Sequence, residues 1–293
     1  MQTPINWVDP YTLTKDRIIY TYDQHHVPGV HSLARHLFTS ALPFVDWHYH
    51  ENCFEFSVAT KGCLTFSTET APYKFSGGDV FISFPNEVHG TDLTPICPGE
   101  LYWFQLNISD PSHFLFLNEQ AAADMIEQIK KIPHHVVQTE SKETYPLIKQ
   151  AFSLAQNNRN PQLIATYLQL FLHLLIVYSQ KEQFRLSPDI GRTLDYILDN
   201  ITIDFSLDDL AKMANLSLSQ YKQKFKKQLG ISPRRFINQE KIEYSKSLLQ
   251  DGMSITDIAM QLSFNTSGYY SAVFKKYTRQ TPSEYIKAQT KDP

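Results

Sequence analysis

Apolar and polar residues alternate along much of the first hundred residues, which is the pattern of half-buried β-strands. Such segments recur about every ten residues and are separated by turn pairs such as Lys61-Gly62 and Gly77-Gly78. The predicted strands cover residues 17–22, 54–58, 63–67, 80–84 and 101–106. Short strands at this spacing predict a barrel or sandwich over residues of about 15–110.

After Pro111 the apolar residues follow a helical period, and we predict helices near 111–131, 143–157 and 161–180. Asn160 and Pro161 provide the cap and the first-turn proline of the third helix. This helix is apolar almost all round, which predicts burial against the barrel and against a partner subunit. Polar residues interrupt it, so it is too short and too polar to span a bilayer, and we expect no membrane contact.

The last third of the chain contains an internal repeat. Residues 206–211 match residues 254–259 at an offset of 48, and residues 221–237 match residues 270–286 at an offset of 49. One structural unit has therefore been used twice, with one residue inserted between its two parts.

Each copy has the pattern of a helix-turn-helix. Ser206 and Ser254 are predicted N-caps, each with an Asp three residues later, and small residues such as Ala211 and Ala259 permit close helix contact. We place the first unit at about 206–229, a linker helix at about 234–250, the second unit at about 254–278 and a last helix from Thr281.

Charge separates the two parts of the chain. The net charge is −3, from 27 basic and 30 acidic residues. Residues 1–186 hold 12 basic and 18 acidic side chains, a net of −6, whereas residues 187–293 hold 15 and 12, a net of +3. No acidic residue lies between Asp209 and Glu240 or between Asp257 and Glu284, and both windows contain Lys and Arg. Basic side chains beside a docking helix are what phosphate contacts require, so the second part is predicted to bind double-stranded DNA.

The last third of the chain resembles the DNA-binding domain of the AraC/XylS family of transcription regulators. The second unit follows the family signature in the sequence Ile255-x2-Ile258-Ala259-x4-Phe264-x4-Tyr269-Tyr270-Ser271-x2-Phe274-Lys275-Lys276-x5-Pro282-x2-Tyr285. Three residues depart from the family pattern: Ser263 and Arg279 replace glycines, and Lys241 stands where the linker helix usually has Arg. The resemblance implies an all-α DNA-binding domain at 189–293, preceded by a linker at 181–188.

In each helix-turn-helix unit, the second helix is expected to face DNA with the side opposite to its buried side. Tyr221 and Phe225 are predicted to face the protein, so the opposite arc carries the contacts with bases and phosphates. The candidate DNA-binding residues are Ser219, Lys222, Gln223, Lys226, Lys227, Asn265, Ser267, Gly268, Ser271, Lys275 and Lys276. Gln and Lys can recognise adenine and guanine, whereas the second unit offers mostly short side chains. We therefore expect the first unit to supply most of the sequence specificity.

A cluster of histidines distinguishes the first part of the chain. His48 and His50 are followed by Glu55, Gly62, Gly78-Asp79, Pro85 and His89. This order resembles the two motifs of the cupin barrels, although the second motif is one residue short between Pro85 and His89. Alternate residues of a strand share a face, so His48 and His50 are expected to point the same way. The fold class is thus α+β multidomain: a cupin-like barrel with helices at 1–180, then the all-α domain.

The resemblance leaves three interpretations of this cluster open: a pocket for a small effector, a metal site, or a polar network inside the barrel. The candidate effector-binding residues are Arg35, Phe44, His48, His50, Glu55, Phe84, His89 and Trp103. Any metal would be held by His48, His50, Glu55 and His89. We expect no cofactor, and by family analogy a sugar effector.

Three cysteines without a CxxC pair predict reduced thiols, and the start of the chain has no pattern of a secretory signal, so we expect a cytoplasmic protein. No Ser-His-Asp arrangement or nucleotide-binding loop is visible, so we expect no enzyme activity. The alternative is a metal-binding cupin, either a metal- or redox-sensing regulator or a metal-dependent enzyme. The preferred interpretation is a homodimeric regulator, and the resemblance to the AraC/XylS family implies that it acts as an activator with RNA polymerase.

Overall fold

The structure is a computed structural model that describes residues 4–157, 160–181 and 186–289. It divides into two compact units, Met1–Phe38 with Phe44–Phe184 and Thr39–Pro43 with Arg185–Pro293. The first unit contains all the described strands, and the second is helical. The predicted fold class is therefore confirmed.

The first unit is built on twelve described strands in two sheets. These are β1 (Ile5–Asn6), β2 (Thr12–Leu13), β3 (Arg17–Thr21), β4 (Val30–Phe38), β5 (His48–Tyr49), β6 (Cys53–Lys61), β7 (Cys63–Thr68), β8 (Pro72–Ser76), β9 (Asp79–Ser83), β10 (His89–Gly90), β11 (Gly99–Asn107) and β12 (Val136–Gln138). One sheet has the order β1-β5-β10-β7-β8, and the other has the order β12-β9-β6-β11-β4-β3-β2. All described pairings are antiparallel except that of β1 with β5.

Helices α2 (Glu119–Lys130), α3 (Ser141–Gln156) and α4 (Pro161–Ser179) cover the outer face of the larger sheet. A single-turn helix, α1 (Tyr22–His25), follows β3. The ring of Phe104 stacks on Phe56 of the neighbouring strand at 5.0 Å between centroids and meets Phe171 of α4 edge-on at 5.6 Å. These rings belong to one continuous apolar core between the sheet and α2–α4. Burial of this apolar area is the main stabilising contribution to the unit.

Helix α4 is the described helix that is long and apolar enough to cross a membrane by composition, and half of its apolar window is buried in the unit. Asn160 caps it by accepting hydrogen bonds from the backbone N–H groups of Gln162 and Leu163. The predicted cap and first-turn proline are thus in place.

The predicted helix over 111–131 is wrong in its first part. Residues Phe114–Phe116 form a single 3₁₀ turn in which Leu115 and Phe116 have φ values of 50° and 59°, and such left-handed residues cannot continue an α-helix. The helix begins after Asn118, whose side chain accepts from the N–H of Ala121. Two strands, β1 and β2, also precede the predicted start of the barrel near residue 15.

Seven helices form the described part of the second unit: α5 (Pro188–Asp199), α6 (Leu207–Met213), α7 (Leu218–Leu229), α8 (Pro233–Gln250), α9 (Ile255–Gln261), α10 (Ser267–Thr278) and α11 (Pro282–Gln289). The repeat is larger than its sequence signature. Tyr221 of α7 is fully buried facing Thr193 of α5, and Tyr270 of α10 is fully buried facing Ser245 of α8. Each helix-turn-helix is therefore completed by the long helix that precedes it.

Side-chain caps set where the helices of both repeats begin. Ser206 accepts from the N–H of Asp209, and Ser254 accepts from the N–H of Asp257, as the sequence predicts. Ser217 and Gln220 form a reciprocal capping box at the start of α7, and Thr266 caps α10. Both copies therefore begin their second helix with a hydroxyl cap, and the first copy adds the reciprocal bond from Gln220.

The ends of α7 and α10 differ chemically although their backbones match. Gly230 ends α7 with φ 70°, and Arg279 ends α10 with φ 68°. A left-handed conformation brings the Cβ of an L-residue close to its own carbonyl oxygen and costs about 1–2 kcal/mol. Arg279 thus holds a strained position that glycine occupies in the first repeat.

We predict that Arg279→Gly raises the free energy of unfolding by about 1 kcal/mol, because it removes this strain. Urea unfolding of the full chain, followed by circular dichroism, measures the change. Gly230→Ala is the matched control and should lower stability by a similar amount. An Arg279→Gly variant no more stable than the parent chain would contradict the prediction.

Candidate functional site

Three histidines meet at the inner side of the smaller sheet. His48 lies on β5, directly opposite His89 on the paired strand β10, and His50 follows β5 by one residue. The ring centroids of His48 and His89 are 4.3 Å apart, and those of His50 lie 5.0 and 5.3 Å from them. One ligand-type atom from each ring lies within 4.8 Å of the others, and all three residues are buried. The pairing of β5 with β10 therefore brings together three of the four residues of the expected set, without Glu55.

Each ring uses its Nδ1 atom on a backbone carbonyl. The Nδ1 atoms of His48, His50 and His89 lie 2.7, 2.8 and 3.0 Å from the carbonyl oxygens of Asp46, Trp7 and Glu87. With Nδ1–H donating, a neutral ring presents an unprotonated Nε2. The Nε2 of His89 is buried without a protein partner. Histidines held this way are oriented as metal ligands usually are, so the three rings fit a divalent cation.

Glu55 takes part in a polar network rather than in the three-histidine cluster. Its Oε2 lies 3.1 Å from Nε2 of His50 and accepts a 3.1 Å hydrogen bond from the amide of Gln105, which also donates to Asp9 at 3.1 Å. Burial raises the pKa of the Asp9 carboxyl, and the nearby Glu55 adds to this. Gln105 therefore bridges two buried carboxyl groups on the inner face.

The charges of His50 and Glu55 support one another. Burial opposes ionisation of His50, but its hydrogen bond to Glu55 prevails and raises its pKa above the usual value. Burial likewise opposes ionisation of Glu55, but His50 holds the pKa of that carboxyl well below its usual range. His89 behaves differently, because burial and then the neighbouring His48 lower its pKa to about 4. The pKa values of His50 and His89 are thus shifted in opposite directions, and pairing with Glu55 favours the charged form of His50.

A cavity of about 240 Å³ opens beside this cluster. Its lining includes five of the predicted effector residues: Phe44, His48, Glu55, His89 and Trp103. His50 lines a second, more polar cavity of about 410 Å³, and Trp7 and Asp9 line both. The segment from Trp7 to Asp9 therefore lies between the two cavities.

Two predicted effector residues lie outside both cavities. Arg35 is on the outer face of the sheet, where its Nε and Nη2 donate to Oε1 of Glu100 at 3.0 and 2.7 Å and its guanidinium lies over the ring of Tyr102. Phe84 packs against Phe54 and His135 at the edge of the helix-covered core. Strand alternation explains the case of Arg35, since its neighbour His36 is the residue that reaches the cavity.

Several residues of the cavity were absent from the sequence prediction. They are Trp7, Asp9, Arg17, His36, Val45, Asp46, Phe66, Gly90, Thr91, Ile96 and Leu101. The backbone N–H of Trp7 donates to the carbonyl of Tyr49 at 2.9 Å, which continues the pairing of β1 with β5. Trp7 and Asp9, two residues apart and ahead of the first predicted strand, are the sequence feature that could have indicated these cavity residues.

In the second unit, the predicted DNA-facing arcs are solvent-accessible. Ser219, Lys222, Gln223, Lys226 and Lys227 on α7 are exposed. In the second copy Asn265, Gly268, Lys275 and Lys276 are exposed, and Ser267 and Ser271 are half-buried. The Ser271 hydroxyl donates to the carbonyl of Ser267 at 2.8 Å within its own helix. The first copy therefore presents the longer polar side chains.

Lys224 does not belong to this arc. Its Nζ lies 2.6 Å from Oδ2 of Asp189 on α5, and this lysine holds the pKa of the carboxyl at about 2. The ion pair ties α7 to α5 behind the exposed face.

Residues 210–288 match the family model described as "Helix-turn-helix domain". The chain is a DNA-binding transcription regulator whose second unit contains an AraC-type helix-turn-helix domain. The chain is 26% identical over 268 residues to the uncharacterized HTH-type transcriptional regulator YdeC of Bacillus subtilis, covering 83% of this chain and 87% of the relative. It is 25% identical over 264 residues to the lactose operon transcription activator of Staphylococcus xylosus, covering 83% and 88%.

Other curated relatives, from Staphylococcus aureus, are much longer, and this chain spans 28% of their length. Among solved structures, the C-terminal domain of AraT from Geobacillus stearothermophilus is 29% identical with a TM-score of 0.34, covering 36% of this chain and 88% of that one. The curated relatives are named as transcription regulators, which agrees with the expectation of a regulatory rather than an enzymatic role.

Proposed function

We propose that this regulator is a transcription activator controlled by a small effector, a sugar or sugar derivative, that binds in the barrel. The observation that carries the proposal is the cavity of about 240 Å³ on the inner face of the first unit. A cleft with apolar walls and a few convergent polar groups is the usual form of a small-molecule site. The second unit separately presents an exposed, basic DNA-facing surface.

The cavity lining suits a sugar in particular. Trp7, Phe44 and Trp103 offer aromatic surface for the apolar face of a pyranose, and Asp9 and Thr91 offer hydrogen-bonding groups for hydroxyls. The relative named as a lactose operon transcription activator supports the same class of effector and the positive sign of regulation. We propose that the protein works in the cytoplasm, where its DNA and RNA polymerase are found.

The three-histidine cluster favours a second candidate function, a metal-sensing regulator. Three imidazoles with carbonyl-bonded Nδ1 atoms suit Zn²⁺ or another divalent ion, and a bound ion would be held by His48, His50 and His89. The ion pair between His50 and Glu55 competes with this use, because it already engages Nε2 of His50. We therefore rank the effector pocket first.

A thermal-shift screen of the purified full chain against a panel of sugars tests the first function. A ligand at 100 times its dissociation constant adds ~2.7 kcal/mol to stability, so a true effector should raise the unfolding temperature by several degrees. Trp103→Ala should abolish the shift, whereas Trp47→Ala, at a residue outside this cavity, should preserve it.

Elemental analysis of the same preparation distinguishes the metal-sensing function. Stoichiometric metal that is lost in His48→Ala would favour metal sensing. No shift with any sugar, together with bound metal, would contradict the effector proposal.

For DNA recognition, we propose that α7 reads most bases and that α10 mainly holds phosphate. Gln223 is exposed at the centre of the arc of α7, whereas α10 places Ala272 at the equivalent position. Glutamine can bond adenine with two hydrogen bonds, and alanine can offer only a methyl contact. Lys275 is exposed on α10 and is suited to a phosphate contact.

We predict that Gln223→Ala relaxes base preference at one position by ~1–3 kcal/mol, while Ser271→Ala preserves it. Lys275→Ala should instead weaken binding to all sequences and reduce the slope of log affinity against log salt by about 1. Binding to sites selected from random duplex DNA, at several salt concentrations, measures both effects. Lys224→Ala is the matched lysine control, since Asp189 already holds that side chain. If Ser271→Ala alone abolishes base preference, the assignment is wrong.

We further propose that α4 forms the dimer contact with a second copy of the chain. Leu163, Leu170 and Val177 are 41%, 48% and 48% exposed, and with Tyr167 and Leu174 they follow each other at alternating steps of four and three residues. This is the spacing of a coiled-coil seam, which buries its apolar residues against an equivalent helix. The opposite side of α4 packs on the core, so its exposed apolar residues remain available to a partner.

We predict that Leu170→Glu raises the dimer dissociation constant by more than roughly 30-fold, because a carboxylate would be buried in the seam. Analytical ultracentrifugation measures the constant. Gln162→Glu, an exposed residue of α4 outside the seam, should leave it unchanged. A Leu170→Glu chain that remains as dimeric as the control would place the interface elsewhere.

A further inference from the structure

Lysine 241 is buried in the middle of α8, with 4% of its surface exposed. Its Nζ donates to the carbonyl oxygen of Ile203 at 2.9 Å and to that of Leu262 at 2.6 Å. Ile203 lies in the segment that leads into α6, and Leu262 ends α9. A single ammonium group on α8 therefore joins the entry of the first helix-turn-helix to the turn of the second.

Neighbouring groups extend this contact into a junction. The rings of Phe205 and Phe264 both lie 5.7 Å from the Lys241 ammonium, one from each repeat. The hydroxyl of Ser263 donates to the carbonyl of Thr202 at 2.8 Å. We call Lys241, Ser263, Phe205 and Phe264 the inter-repeat junction.

Burying an ammonium is costly unless its hydrogen bonds are replaced. Burial lowers the pKa of Lys241, and Asp204 opposes that shift. Two carbonyl acceptors and two aromatic faces supply the replacement, and the carbonyl of Leu262 adds the negative end of the α9 dipole. An apolar residue would fill the same space at lower desolvation cost but could not bond the two carbonyls. The junction therefore has a directional role that packing alone would not provide.

The linker helix contacts each repeat separately. Phe236 of α8 meets the ring of Phe225 of α7 edge-on, and Tyr270 of α10 is buried facing Ser245 of α8. The junction crosses α8 from one repeat to the other, and it contacts the second repeat at the residues just before α10. Anchoring that turn fixes where α10 begins relative to the first repeat.

We propose that Lys241 is a positioning residue that sets the distance between the two base-contacting helices and thereby the spacing of the DNA elements that one chain accepts. The proposal rests on the proposed DNA contacts of α7 and α10. Two recognition elements held rigidly must match the helical repeat of DNA, and one added base pair moves the second element by about 3.4 Å and also rotates it. A rigid pair discriminates against such a change, whereas a loosened pair tolerates it.

Selection of binding sites from random duplex DNA by the full-length protein tests the proposal. In each half-site, the parent chain should select a longer sequence block for α7 and a shorter one for α10 at one spacing, and should bind sites with one base pair inserted or removed between the blocks roughly 10-fold more weakly. Lys241→Met should select the same blocks but a mixture of spacings, with the penalty reduced to less than roughly 3-fold. Lys241→Arg, which keeps the charge and the donors, should restore the single spacing.

Lys246→Met is the matched control. It makes the same substitution on the same helix, at a lysine whose ion pair is with Glu243 one turn away, and should keep the parent spacing. If Lys241→Met does not fold, as judged by circular dichroism, Ser263→Ala carries the test, because it removes one junction hydrogen bond and should broaden the spacing partially.

Two failures can be told apart. A folded Lys241→Met chain that selects the parent spacing would overturn the positioning role and leave DNA recognition by α7 and α10 intact. Where Ser263→Ala carries the test, an unchanged spacing in that variant would have the same meaning. A parent chain that selects no paired blocks would overturn the DNA contacts on which the proposal depends.

Discussion

The alternation of side chains along β11 is the constraint on which the first unit depends. Trp103 and Gln105 point to the inner face and meet the cavity and its polar network, while Tyr102 and Phe104 point outward and meet α3 and α4. β6 repeats the division, with Glu55 inward and Phe56 outward. A shift of one residue in either strand would place the carboxylate in the apolar core and the aromatic ring in the pocket. The register of two strands thus maintains the pocket and the helical layer together.

The buried charges of the inner face are tolerated because they are paired. His50 keeps Glu55 ionised, and Gln105 joins Glu55 to Asp9. Loss of one member would leave its partners buried without a hydrogen bond, which costs stability. The complete network keeps the inner face polar and rigid. A polar ligand or a metal entering this site competes for groups that already have partners, so its binding energy must exceed that of the existing hydrogen bonds.

The second unit uses one local design twice but fixes it by different means. Both copies begin their second helix with a hydroxyl cap and end it in the left-handed conformation, yet one ends in Gly230 and the other in Arg279. The two copies also differ in what they present: α7 exposes the long amide of Gln223 where α10 exposes Ala272, although both helices expose lysines. Duplication therefore preserved the docking geometry while the exposed chemistry diverged. The inter-repeat junction at Lys241 is a place where the copies act as one body.

The sequence by itself determined the repeat and the helix caps, because both depend on interactions over a few residues. The expectation that His48 and His89 share one site came from the resemblance of their motifs to those of the cupin barrels. Only the tertiary structure decided which other side chains share that site. Arg35 was a plausible ligand until Glu100, 65 residues away, was found to hold it on the opposite face. Trp7 and Asp9 entered the pocket because β1 pairs with β5 across more than forty residues. Lys241 became informative only when two distant carbonyls were seen to converge on it. Contacts between residues far apart in the chain leave no periodic signature, and so they had to be observed in the fold.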